Sequence, residues 1–127
     1  MLDGCPALPD TFPMDTQHLT IVETASYLAA AKGVLSEKDR ADIVSMIAAT
    51  PKCGDVIVGS GGLRKVRFAI GHKGKSGGVR VIYAFRDEQF PAFILTVFAK
   101  NERANLSKSE INALAKAMDV LFSKYGA

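Results

Sequence analysis

No acidic residue stands between Val56 and Arg86, although Arg64, Lys65, Arg67, Lys73, Lys75 and Arg80 all fall in that interval, among seven glycines. The absence excludes local neutralisation along the chain. Without these six cations, ten Lys/Arg would face thirteen Asp/Glu and the net charge of +3 would become -3, so the basicity is concentrated here. Cysteine is scarce too. Cys5 and Cys53 are far apart, with no C-x-x-C pair and no histidine at ligand spacing, which excludes a zinc site and leaves two ordinary free thiols. Long apolar runs are missing. The longest uncharged stretch, Gln89 to Ala99, is well short of the ~20 residues that span a bilayer, and no positive residue precedes an apolar segment near Met1. The expectation is a cytoplasmic protein with no membrane partner.

What is present suits one domain. A chain of 127 residues, 48% hydrophobic, can bury a single core without staples. Residues 1–17 combine Pro6, Pro9 and Pro13 with Asp3, Asp10 and Asp15, which predicts a flexible N-terminal extension to a domain over 18–127. Leu19 to Glu23, with β-branched Ile21 and Val22, predicts a strand, and Thr24 to Ala31 a helix that Gly33 ends. Ser36 is an N-cap type ahead of Glu37 and Asp39. The second helix that follows carries Ile43, Met46, Ile47 and Thr50 on one face and stops before Pro51. From Leu63 the apolar period shortens to two: Val66, Phe68 and Ile70 share one face, Lys65 and Arg67 the other. Val79, Val81, Tyr83 and Phe85 alternate with Arg80, Ile82 and Ala84, and a loop over Gly71 to Gly78 joins the two strands as a hairpin. Pro91 to Phe98 predicts a further, largely buried strand. Ser107 and Glu110 have capping-box spacing before the stripe Ile111, Leu114, Ala115, Met118, Leu121, Phe122 and Tyr125. The class is α+β: an N-terminal strand and two helices, an antiparallel sheet of about four strands, and a C-terminal helix.

Two phosphate-motif look-alikes fail on context. Gly74-Lys75-Ser76 has the end of a P-loop, but Ala69 stands where that motif needs glycine, and a strand follows instead of a helix. Gly59-Ser60-Gly61-Gly62 likewise runs into a strand, without the βαβ unit that seats a pyrophosphate on a helix N-terminus. No nucleotide cofactor is expected.

A patch of one sign draws phosphate by long-range steering and counterion release, so RNA or DNA is the first partner to consider. Cleaving RNA with its own 2′-hydroxyl requires removing that proton, stabilising a phosphorane-like transition state and protonating the departing 5′-oxygen. Lys65, Arg67 and Arg80 lie on adjacent predicted strands and converge on one phosphate if they share a face. Arginine clamps phosphate bidentately, and a lysine crowded by cations can serve as a base.

Pro51-Lys52-Cys53-Gly54-Asp55, then Gly59-Ser60-Gly61-Gly62-Leu63-Arg64-Lys65-Val66-Arg67, then Gly77-Gly78-Val79-Arg80-Val81-Ile82-Tyr83, then Lys100-Asn101-Glu102, in that order, resemble the RelE/HigB branch of bacterial type II toxin-antitoxin toxins over about residues 18–122. The resemblance implies a compact RelE-like fold. It also implies a metal-independent endoribonuclease that cuts messenger RNA, typically in the ribosomal A site, and thereby inhibits translation. A cognate antitoxin with a helix-turn-helix DNA-binding domain would hold it inactive. Lys65, Arg67 and Arg80 match the positions of the family's catalytic basic residues, and Arg64, His72, Lys73, Lys75, Lys100 and Asn101 are candidate RNA contacts. His72 is a general acid by residue type, set against a plain loop histidine; Glu102 could be a base but can equally pair with Lys100 or Arg103. Tyr83, in mid-strand, reads as core. Many relatives carry an arginine after the last strand and an aromatic beyond it; here the segment reads Lys100-Asn101-Glu102-Arg103, with Leu106 and no tyrosine nearby. Two other classes stay open: a toxin of the same fold acting on a protein such as DNA gyrase, and a non-catalytic nucleic-acid-binding module.

Overall fold

The computed structural model describes residues 19–70, 78–99 and 106–126, without the side chains of the last two. The N-terminal extension, the body of the glycine-rich loop and the Lys100-Asn101-Glu102-Arg103 segment lie outside the described residues. The elements run β1 (Ile21–Glu23), α1 (Ala25–Ala31), α2 (Glu37–Ala49), β2 (Asp55–Val56), β3 (Leu63–Phe68), β4 (Val79–Ala84), β5 (Ala92–Ala99) and α3 (Lys108–Gly126). They form a five-stranded sheet in the order β1-β5-β4-β3-β2. The α+β class and the hairpin pairing of β3 with β4 match the sequence pattern.

Three details differ. The sheet has five strands instead of about four, because a two-residue β2 forms on the β3 edge. The first strand is shorter than Leu19–Glu23 and runs parallel to β5, an arrangement that needs a long crossover and is met here by everything between them. Thr50 is exposed at the C-cap, since α2 ends at Ala49, and only Ile43 and Ile47 of its predicted face are fully buried.

Both sheet faces are covered, but unequally. On one, Tyr27 and Ala31 of α1 and Ile43 and Ile47 of α2 pack on Val79, Val81, Tyr83, Ile94 and Val97. On the other, Met118 and Phe122 of α3 pack on Leu63, Ala84, Phe93 and Leu95. This second cluster buries Ala84, which alternation alone would have left on an outer face. Phe90 and Phe93 meet the Phe122 ring edge-on at 5.6 and 5.3 Å, and the Arg86 guanidinium lies 4.4 Å from its centroid.

Local signals start each helix. Ser36 Oγ accepts the Asp39 N–H while the Asp39 carboxylate accepts the Ser36 N–H, both at 3.0 Å, and Ser107 with Glu110 repeats the device for α3. Thr24 caps α1 and donates its hydroxyl to the Ile94 carbonyl at 2.8 Å; Ser26 donates to Leu95 at 3.0 Å. Those carbonyls flank an irregularity in β5, where Ile82 faces Thr96 but Tyr83 faces Ile94, leaving Leu95 as the extra residue. The bulge shifts the phase of β5, so Ile94 and Val97, three residues apart, both serve the α1–α2 core.

One core group is unsatisfied. The Tyr27 hydroxyl is buried and has no hydrogen-bond partner among the described residues. Burial, and then the nearby Glu23 carboxylate, push this phenol from 10.0 up to about 12. An unfolded tyrosine therefore ionises first, so this contribution to stability is complete below pH 10 and is lost as pH rises to about 12. Tyr27→Phe, which removes only the orphan oxygen, is expected to be neutral or to stabilise by up to about 1 kcal/mol in urea unfolding, and to reduce the alkaline loss.

Candidate functional site

Tyr83 organises the sheet edge from inside. Its ring is fully buried, and its hydroxyl donates to the Pro51 carbonyl at 2.7 Å and accepts the Gly54 N–H at 2.9 Å, with Cys53 Sγ 3.6 Å away. Burial, reinforced by the Cys53 contact, raises this phenol above the ordinary tyrosine range, while the Gly54 N–H acts in the opposite sense. Arg64 takes the other side of the same glycine, donating Nη1–H to the Gly54 carbonyl at 2.7 Å. A Cβ on Gly54 would stand 2.8 Å from the Lys65 carbonyl oxygen and 2.9 Å from the Tyr83 ring, so only glycine allows this approach. The segment held in this way leads directly into β2, where Asp55 pairs with Lys65 and Val56 with Arg64.

The Gly59–Gly62 turn that returns the chain to β3 is built for backbone satisfaction. Buried Ser60 accepts the Leu63 N–H at 3.0 Å and donates to the Ile57 carbonyl at 2.6 Å, filling the cradle an anion would otherwise use. A Cβ added at Gly62, whose φ is 133°, would stand 3.7 Å from Met118 Sδ, so the turn lies close under α3.

Register then places the cations. Arg67 faces Arg80 directly across β3 and β4, and Lys65 faces Ile82 one row away. Opposed residues share a sheet face, as do alternate ones, so Lys65, Arg67 and Arg80 emerge on the face whose other end α3 covers through Leu63 and Ala84. Past that contact the face opens into a cleft of about 400 Å³ lined by Cys53, Asp55, Lys65, Val66, Arg67 and Arg80. Arg67 is exposed; Lys65 and Arg80 are half-buried.

Three cations share this cleft with one carboxylate, Asp55, and none of the four forms an ion pair among the described residues. Among the described residues the ion pairs are Lys38–Asp42 at 3.0 Å and Arg40–Glu23 at 3.1 Å, and neither involves the cleft. Two arginines directly opposed cost on the order of 0.2–1 kcal/mol. Arg80 Nε is in addition buried without a partner among the described residues, a deficit of about 1–3 kcal/mol.

The structure thus unites the three predicted catalytic cations. Arg64 it places on the opposite face, tied to Gly54. His72, Lys73, Lys75, Lys100 and Asn101 are outside the described residues. Asp55 and Cys53 are cleft residues without a role in the sequence reading; the only signal was their place in Pro51-x-x-Gly54-Asp55, whose meaning depends on Tyr83. No group of three or more His, Cys, Asp or Glu able to hold a metal occurs among the described residues, and no helix there is long and apolar enough to cross a membrane.

A family model described as the RelE toxin of the RelE / RelB toxin-antitoxin system matches residues 54–125, more than half of the chain. The chain belongs to the RelE family. The match opens at the glycine that Tyr83 grips. Among solved structures, a double arginine-to-alanine mutant of the E. coli toxin RelE in the free state is similar in fold: TM-score 0.53, 16% identity, covering 80% of this chain and 97% of that one. Membership makes this protein the toxin component of a toxin-antitoxin system, with an antitoxin as its partner.

The clamp yields a test opposite in sign to that of Tyr27. Tyr83→Phe strands the Gly54 N–H and the Pro51 carbonyl, and is expected to cost about 1–3 kcal/mol in urea unfolding. An unchanged midpoint would mean that β2 holds its register without the clamp.

Proposed function

We propose that this RelE-family chain is a metal-independent endoribonuclease that cuts messenger RNA on the ribosome and so inhibits translation, and that its antitoxin carries a helix-turn-helix DNA-binding domain. The observation that carries the reading is the Arg67–Arg80 pair beside Lys65 in an open cleft with no ion pair among the described residues. A scissile phosphate seated there meets two guanidinium forks, which stabilise the charge that grows on the non-bridging oxygens as O2′ attacks. Lys65, one row away, is positioned toward a bridging oxygen. Base reading is not required for this chemistry, and the pairing of codon with ribosome would supply alignment that a shallow cleft does not.

The two other classes have less support. A toxin acting on a protein has no use for opposed, unpaired arginines. A binding module would expose aromatics for stacking, whereas Tyr83 and Phe85 are buried and Phe68 packs against the α1–α2 core.

Expression of the chain alone is expected to arrest growth with new mRNA 5′ ends, relieved by the antitoxin. Arg80→Ala should slow cleavage on programmed ribosomes by a hundredfold or more, because its contact strengthens only in the transition state. Ribosome co-sedimentation should fall less, and melting should not drop, since Arg80 belongs to neither apolar cluster and its buried Nε has no hydrogen bond among the described residues to lose. Cleavage at the wild-type rate by a folded Arg80→Ala protein would remove the catalytic assignment.

A further inference from the structure

The cleft contains one carboxylate, and a carboxylate weakens phosphate binding. Asp55 pairs directly with Lys65 across β2 and β3, so the two side chains leave the same face. Arg67 is then its diagonal neighbour, about 7–8 Å away, within reach of a shared substrate. Asp55 is exposed, and no hydrogen bond or ion pair engages it among the described residues. The other polar side chains that line the cleft are Cys53, Lys65, Arg67 and Arg80. Of these, guanidinium and ammonium groups only donate and a thiol is a weak acceptor, whereas an ionised carboxylate only accepts.

We propose that Asp55 takes the proton from the attacking 2′-hydroxyl, an inference that rests on the RNA-cleaving reading above. The O2′–H bond breaks toward the Asp55 carboxylate and O2′ bonds to phosphorus. The P–O5′ bond breaks with its electron pair on O5′, which takes a proton from the Lys65 ammonium. The products are a 2′,3′-cyclic phosphate and a 5′-hydroxyl, and one proton has passed from RNA to Asp55 while another has passed from Lys65 to RNA. Base and acid then sit on neighbouring strands in one row, and the Arg67–Arg80 row holds the phosphate beside them. The role that residue type alone offered to a lysine falls to the group that can accept.

Single-turnover cleavage of a defined mRNA on programmed ribosomes, with binding and melting measured on the same proteins, tests this. Asp55→Asn keeps the shape but not the basicity. It should bind as tightly as wild type or more tightly, melt unchanged and cleave about a hundredfold slower, with Asp55→Glu recovering part of the rate. An mRNA with sulfur in place of the departing O5′ needs no proton there; it should rescue Lys65→Ala and leave Asp55→Asn slow. Asp55→Asn cleaving at or above the wild-type rate would overturn the proposal, as would its rescue by the sulfur substrate. If wild-type protein leaves the mRNA intact, the ribonuclease reading itself falls and takes this inference with it.

Discussion

The hydroxyl of Tyr83 is the constraint on which the site depends. One buried oxygen joins the Pro51 carbonyl to the Gly54 N–H, and Arg64 holds the carbonyl of the same glycine. A two-residue strand makes too few ladder bonds to select its own register. Slipping by one residue would send Asp55 to the α1–α2 face and break the row it makes with Lys65. The clamp therefore converts a weak edge into a fixed one, and does so from the core, where water cannot compete for the bonds.

Apolar packing and the basic cleft are divided between the two ends of one sheet face. At the α3 end, Phe90, Phe93 and Phe122 interlock and the Arg86 guanidinium lies over the Phe122 ring. At the other end, Arg67 and Arg80 confront each other without a counter-ion among the described residues. The first end can carry the second because apolar burial is worth several kcal/mol per aromatic ring, while the opposed arginines cost on the order of one. An anion that enters the cleft relieves the repulsion, so binding energy and site strain have the same source.

The two buried tyrosines show how the same residue divides into different roles. Tyr27 fills the α1–α2 core and its oxygen has no partner among the described residues, so its contribution there is area alone. Tyr83 has equal burial and a fully engaged oxygen, so its contribution is also positional. Burial does not separate them; the location of polar backbone within reach does.

Much of the fold was legible because it is local. The caps at Ser36 and Ser107 are bonds between residues three apart, and the alternation through Leu63–Phe68 and Val79–Ala84 places Lys65 and Arg67 together, with Arg80 opposite Val79 and Val81. The order of the short motifs was enough to indicate the family. What the chain alone could not reveal was long-range. A two-residue β2 has no period to read, and the parallel seat of β1 is decided by β5 about seventy positions later. The pairing of Arg67 with Arg80 depends on hairpin register, and the open end of the face depends on how far α3 reaches. Asp55 became a cleft residue only once Tyr83, 29 positions beyond Gly54, fixed the edge. Local propensities act between neighbours along the chain, whereas a site is a set of distances between residues that only the packed sheet brings together.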